Sequence, residues 1–362
     1  MAGKAIRLEL TAIGAGSAGW GDPEIMVAPA DKPAAPASPA AASALLLLFA
    51  SLPAAAQTQE SDPDFDTTVA DPAWPAAGPA VAIDEAHANF HTADGRYRPF
   101  AELLRNDGYR LAASTRMLSA EALADVDVLV IANAGAREPS PEAPPIFTDA
   151  EADALRDWVA AGGALLLVAD HSPFGAAAQK LARRFGVEMG EGWVFDAGER
   201  PNSATTQFVF SRANGRLGDH PITRGREPAE AVGAVRTFTG QSLTVPAGAT
   251  ALMTLSPTAR EAPGHAALQA AAEAIASGEG SWEERTAPHS TAVGGRAQGL
   301  AMPFGEGRVA ILAEAAMLSA QVITLPTPDG GERVIRAGMN VPGTDNRQFA
   351  LNLMRWLAGA LE

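Results

Sequence analysis

The chain of 362 residues contains no cysteine. This absence excludes disulfide bonds, thiolate metal sites and a cysteine nucleophile together. Positive charge is also scarce, with 27 lysines and arginines against 42 acidic residues and a formal net charge of −15. Because the sequence has no cluster of basic residues dense enough to follow a phosphate backbone, we expect no nucleic-acid partner.

Long hydrophobic runs are equally scarce. The most apolar N-terminal segment, residues 41–52 (AASALLLLFASL), is too short to span a bilayer comfortably, and the small residues of a cleavage site follow it at 53–56. We predict a signal peptide over residues 1–56, with Met26 as a candidate start and Lys32 as its positive charge. A linker over 57–78 and a single domain over 79–362 would follow, without a membrane span, in the periplasm or outside the cell. The alternative is a disordered, Ala/Pro-rich tail.

From residue 78 onward, short apolar runs alternate with helical patterns. The runs at 81–83, 126–132 and 164–169 lack polar alternation, which is typical of strands buried on both faces. Helices are predicted over 97–107, from 149 behind a Thr148–Glu151 capping box, and over 176–185. This alternation predicts an α/β fold with a doubly wound, mostly parallel sheet and right-handed crossovers.

The second half of the sequence is less regular. We predict a β-rich elaboration with strands near 208–210, 234–245 and 251–255, a helix over 266–277, a hairpin over 299–313, a short helix over 315–320 and a closing helix over 345–360.

Polar residues follow several of the predicted strands. Because parallel strands end at the same edge of a sheet, we expect these side chains to converge. Carboxylates and neutral imidazoles suit a divalent cation such as Zn, Mn or Ca, and they also suit acid–base catalysis. The candidate metal ligands are Asp84, His87, His91, Asp170 and His171; the candidate ligand-binding residues are Glu85, Asn89 and Asn133; the candidate catalytic residues are Glu314, Asp170 and His171.

Each of these residues also has a structural interpretation. Asp84 and Asp170 could cap turns, the histidines could be hydrogen-bonded loop residues, and Glu314 could satisfy the N-terminus of the helix predicted after it. His87 and His91 lie four residues apart without a His-Glu-x-x-His pattern, so their spacing does not specify a metal site.

Two other motifs are rejected. The glycines at 14 and 16 have no strand–helix context, so we expect no nucleotide cofactor. Ser172 follows His171 directly and lacks a Gly-x-Ser-x-Gly elbow, so it does not fit a nucleophilic triad.

Several motifs together carry a family resemblance over residues 79–357. They are 84–91 (DEAHANFH), 158–163 (WVAAGG) with Asp170-His171 after the next strand, 219–222 (DHPI), 307–316 (GRVAILAEAA) and 352–357 (NLMRWL). With them the chain resembles exported, largely uncharacterised members of the class I glutamine-amidotransferase-like superfamily, which have flavodoxin-like domains related to trehalose-utilisation-type proteins. The resemblance implies a retained ligand edge. True amidotransferases place a cysteine where Asp170-His171 stand here, so it also implies that glutamine hydrolysis is lost.

Two functional hypotheses follow. The first is a secreted hydrolase, with a metal-bound water and Glu314 as general base or substrate orienter, acting on an ester, lactone, amide or glycoside. The second is a non-catalytic module that binds a carbohydrate or cell-envelope glycan at the same edge. A purely structural envelope protein is a third possibility.

Overall fold

The computed structural model describes residues 58–136, 145–196, 198, 204–278, 280–327 and 331–362. The predicted signal peptide lies outside these residues. The strands are β1 (Thr58–Ser61), β2 (Ala80–Asp84), β3 (Arg110–Ser114), β4 (Val128–Ala132), β5 (Ala164–Val168), β6 (Trp193–Asp196), β7 (Phe208–Ser211), β8 (Ala234–Thr237), β9 (Thr250–Thr254), β10 (Ala259–Ala262), β11 (Thr291–Ala292), β12 (Ala297–Phe304), β13 (Gly307–Leu312), β14 (Ala320–Pro326) and β15 (Glu332–Gly338). The helices are α1 (Arg98–Asn106), α2 (Asp149–Ala160), α3 (Phe174–Arg184), α4 (Pro221–Arg224), α5 (His265–Ala276), α6 (Trp282–Thr286) and α7 (Asn346–Leu357).

A seven-stranded mixed sheet forms the centre of the molecule, in the order β3-β2-β4-β5-β13-β12-β9. The first five strands of this order are mutually parallel. β12 runs antiparallel to both of its neighbours, β13 and β9. The α/β prediction is therefore confirmed, and the carboxyl ends of five strands lie at one edge.

Helices cover both faces of this sheet, because successive residues of each strand point to opposite sides. In β5, Leu166 packs in one hydrophobic cluster with α1 and α7, whereas Leu165 and Leu167 pack in a second cluster with α2 and α3. All five residues of β5 are buried. This double burial explains why its sequence shows no polar alternation.

Three small sheets form the elaboration, in the orders β1-β14-β15, β11-β10-β6 and β7-β8. The predicted strand over 234–245 stops at Thr237, because Gly240 has a φ of +119° that a continuous strand does not adopt. The helix predicted over 315–320 is only a 3₁₀ turn, Ala316–Leu318, and the chain then enters β14.

The predicted linker needs correction. Of its described residues, 58–61 pair with β14 as β1, and Phe65, Val69 and Trp74 pack against the main hydrophobic core. This acidic, Pro/Ala-rich segment is thus part of the folded unit. Within the described residues no helix is both long and apolar enough to cross a bilayer.

Candidate functional site

The loop after β2 places His87 between two carboxylates. Its Nδ1 lies 2.8 Å from Asp84 Oδ2, and its Nε2 lies 3.0 Å from Glu151 Oε1 at the start of α2. Glu151 also completes the predicted capping box, since its Oε2 accepts the N–H of Thr148 at 2.9 Å. All three charged side chains are buried. The loop is turned sharply here, with Ala88 at a φ of +51°.

These contacts decide the protonation of His87. Burial by itself lowers the pKa of His87, but hydrogen bonding and the charges of Asp84 and then Glu151 outweigh it, so the pKa is raised above 6.5. An imidazolium that donates from both ring nitrogens has no lone pair for a metal ion. His87 therefore acts as a cationic bridge between the β2 loop and α2.

A second group of residues surrounds a cavity of about 20 Å³ at the carboxyl edge of the sheet, large enough for about one water molecule. Its lining residues come from β1, the loops after β2, β4 and β5, the start of α3, the segment after β8, the turn after β13 and β14. They are Gln59, Phe90, His91, Arg96, Asn133, Asp170, Phe174, Thr239, Ala316 and Gln321. The strand-end rule correctly brings His91, Asn133 and Asp170 to one place.

Asp170 is held from several directions. Its Oδ1 accepts hydrogen bonds from Thr239 Oγ1 at 2.9 Å and from the N–H of His171 at 2.8 Å. Its own N–H donates to Asn133 Oδ1 at 2.8 Å. Asn133 has a φ of +46°, a conformation that asparagine tolerates better than most residues. A backbone held in this way at a sheet edge is typical of functional sites.

Glu314 lies behind this cavity and is completely buried. Its two carboxyl oxygens accept the N–H groups of Ala316 at 2.9 Å and Met317 at 2.8 Å. Burial and then the negative charge of Asp170 nevertheless raise the pKa of Glu314 well above its usual range. Glu314 therefore carries a proton at neutral pH, which corrects its predicted role as a general base.

His91 is the neutral imidazole of the site. Burial, with a further contribution from the positive charge of Arg96, lowers the pKa of His91 to about 3. Its ring lies 4.6 Å from that of Tyr97, and its buried Nδ1 has no hydrogen-bond partner in the described part of the chain. Tyr97 itself donates its hydroxyl to Ala315 O at 3.0 Å. His91 Nδ1 is thus available to a molecule in the cavity.

His171 points elsewhere. Its ring stacks on Trp193 with centroids 3.4 Å apart, and its Nδ1 donates to Ser172 O at 2.8 Å. Glu85 and Asn89 serve the loop after β2, since Glu85 Oε1 accepts the N–H of Ala93 and Asn89 Oδ1 accepts the N–H of His87. None of these three lines the cavity around Asp170.

The five predicted metal ligands therefore fall into three places. Asp84 and His87 bond to each other, His91 and Asp170 line the cavity, and His171 stacks on Trp193. Across the described ranges, no three or more His, Asp or Glu side chains are grouped to hold a metal ion. The expectation of a metal stays a prediction for which this geometry supplies no ligand set.

Sequence reasoning missed several residues of the site. Gln59 and Gln321 come from β1 and β14, and Thr239 comes from an irregular segment after β8. The alternating pattern of residues 320–326 could have indicated β14. Nothing in the sequence indicates that Thr239 bonds to a residue 69 positions away.

The largest open cavity lies at the other end of the sheet. It has a volume of about 430 Å³ and is lined by residues that precede or flank β2, β4 and β5, including Pro79, Asp127 and Gly163. Asp127 already accepts the N–H of Ala80 at 2.7 Å. Because ligands of open α/β sheets bind at the carboxyl ends of the strands, we place the site at the smaller cavity.

No protein-family model and no curated protein matches the chain. Among solved structures, the mmIFT52 N-terminal domain is similar over 77% of this chain and 96% of that one, with 15% identity and a TM-score of 0.49. A ThuA-like protein from Bacteroides uniformis (13%, 0.35) is similar over 82% of this chain and 95% of its own. A GMP synthase protein from Thermoplasma acidophilum (11%, 0.36) is similar over 78% and 95%. The last two descriptions agree in part with the family resemblance, and likenesses of this size carry no argument about activity.

Proposed function

We propose that the protein is a hydrolase in which Asp170 acts as the general base. The observation that carries the proposal is the convergence of Asp170, Asn133 and His91 on one cavity at the carboxyl edge of the sheet, with protonated Glu314 behind them. Paired carboxylates that share one proton are a recurrent arrangement in acid–base catalysis. The proposal uses no metal, because His87 is committed to two carboxylates.

In the proposed reaction, Asp170 takes a proton from water as the water oxygen attacks a carbonyl carbon. The same proton then passes to the leaving oxygen or nitrogen as its bond to that carbon breaks, so the atoms balance. His91 accepts or donates a hydrogen bond that orients the substrate. Glu314 acts through Asp170: by holding a proton, it limits the pair to a single negative charge.

The substrate class follows from the position of the second carboxyl group. Glycosidases need two carboxyl groups facing the scissile bond, whereas Glu314 is completely buried and does not line the cavity. Of the predicted substrates, an ester, lactone or amide therefore suits this site better than a glycoside.

The test is hydrolysis of p-nitrophenyl acetate by Asp170→Asn. Loss of a general base costs about 10²- to 10⁴-fold, so we expect kcat/KM to fall by at least about 100-fold. Asp219→Asn is the matched control, because Asp219 is exposed and pairs only with Arg224 on the surface. Equal hydrolysis by both variants and the parent protein would refute Asp170 as the base.

A second candidate is the glycan-binding module. Amide side chains line the cavity at Gln59, Asn133 and Gln321, next to the rings of Phe90 and Phe174 at 5.9 Å. Amides and aromatic rings together suit a hydroxyl-rich ligand. Calorimetric binding of maltotriose that Gln321→Ala weakens, in a protein without esterase activity, would favour this candidate.

We also infer the finer assignment of the fold and its location. The strand order β3-β2-β4-β5-β13, with helices on both faces, supports a doubly wound, amidotransferase-like domain whose nucleophile position holds Asp170 and His171. The predicted signal peptide supports export to the periplasm or medium. Cell fractionation and N-terminal sequencing of the exported chain test the latter, with about Gln57 as the expected first residue.

A further inference from the structure

β1 is a weakly attached edge strand. It pairs with β14 on one side only, from Thr58 opposite Thr324 to Ser61 opposite Gln321. Its four side chains alternate between exposed and half-buried, and none is fully buried. β14 also pairs with β15, so β14 keeps a strand partner if β1 detaches. Elements with few buried contacts open locally at low cost.

Gln59 is the β1 residue that closes the cavity. It lies among the lining residues with His91 and Asp170, and its Nε2 donates to Gln321 Oε1. Gln321 Oε1 also accepts from Arg96 Nη1 at 3.2 Å, so these three side chains form one cover.

The closed arrangement leaves polar atoms unsatisfied. Gln59 Oε1 and His91 Nδ1 are both buried without a hydrogen-bond partner among the residues that the structure describes. A buried polar atom without a partner is unfavourable, and detachment of β1 would expose both atoms to water or to a ligand.

A firm anchor ends the movable segment. Asp62 donates its N–H to Ala320 O at 2.8 Å, and its Oδ2 accepts Asn340 Nδ2 at 2.8 Å. Asp62 is 7% exposed, in contrast to its neighbours in β1. The backbone before Asp62 can therefore swing away while Asp62 stays in place.

We propose that β1 is a strap over the candidate active site, and that substrate reaches Asp170 only when Gln59 moves out of the cover. This inference rests on the proposed hydrolase function. The strap gives the site a closed state that excludes solvent and an open state that admits an acyl substrate.

The first experiment compares Gln59→Ala with Glu60→Ala in the full chain. Alternate side chains of a strand face opposite sides, so Glu60→Ala alters the same strand without touching the cover. NMR titration of His91, assigned with His91→Gln, reports opening without any need for activity. We expect Gln59→Ala to raise the pKa of His91 from about 3 toward 6.5 and to increase p-nitrophenyl acetate hydrolysis several-fold, and Glu60→Ala to do neither.

The second experiment locks the strap. Thr58 and Thr324 are register partners outside the cavity, and facing Cα atoms of antiparallel strands lie within the range that a disulfide spans. The chain has no other cysteine, so Thr58→Cys with Thr324→Cys forms a defined pair. Oxidation should reduce hydrolysis to background, and a reductant should restore it.

The outcomes separate the two proposals. An unchanged pKa of His91 in Gln59→Ala, or full activity of the oxidised pair, overturns the strap. A raised pKa of His91 with no hydrolysis by any variant supports the strap and overturns the hydrolase.

Discussion

Replacement of His87 by alanine tests the charge bridge between the β2 loop and α2. The change leaves Asp84 and Glu151 as buried carboxylates without their cation. Breaking a buried ion pair in this way costs about 3–5 kcal/mol. Glu151 keeps its hydrogen bonds from Thr148 and Leu118, so we expect the lower end, about 3 kcal/mol of unfolding free energy. That corresponds to a fall in Tm of about 6–12 °C.

The loss should depend on pH in a defined direction. The raised pKa of His87 contributes stability that is complete below about 6.5 and is lost as pH rises through the folded-state value. For Glu151, burial raises the pKa, but hydrogen bonds from His87 and Thr148 outweigh it and lower it, so its contribution is complete above about 4.5. The difference between parent and His87→Ala is therefore largest from about pH 4.5 to 6.5.

Urea unfolding at about pH 5.5 and about pH 9.5 measures this difference. His265→Ala is the control, because His265 is exposed on α5 and its loss should change stability by less than about 0.5 kcal/mol. The reasoning is refuted if the destabilisation by His87→Ala is the same at both pH values. A matching loss of parent stability in EDTA would instead support His87 as a metal ligand.

Three further predictions concern the surroundings of the site. Gly240→Ala should destabilise the fold more than Gly215→Ala in thermal unfolding, because a Cβ at Gly240 would lie 2.4 Å from a backbone oxygen whereas Gly215, also at positive φ, has open space. Relative to Glu314→Gln, the parent protein should lose unfolding free energy as pH rises above about 4.5, because the folded state keeps Glu314 protonated while the unfolded state ionises; urea titrations at acidic and neutral pH measure this. Tyr97→Phe leaves the buried Ala315 carbonyl without its hydroxyl donor and should cost about 1–3 kcal/mol in urea unfolding.

The parallel half of the fold was predictable because its strands are buried on both faces. Continuous apolar runs such as β4 and β5 have no other common explanation at that length, and the capping box marks the start of α2. The elaboration was harder, because β1 is a polar strand held by pairing to the edge of β14 rather than by its own side chains. Its composition alone resembles a linker.

The site was predictable in position but not in detail. Strand ends correctly place His91, Asn133 and Asp170 at one edge. They do not determine where a side chain points, and His87 turns toward Glu151, which is 64 residues away in the sequence. The sequence shows Glu151 as a helix cap, and only the three-dimensional packing makes it a partner for an imidazole.

The central sheet divides the interior into two compartments that share no side chain. Leu166 and Leu167 are neighbours in β5, yet each contacts a different set of helices. Residues without common partners tend to perturb a protein independently. The layer beneath α2 and α3 can therefore be redesigned for heat tolerance while the layer beneath α1 and α7, which contains Tyr97 behind the reactive edge, keeps its original amino acids.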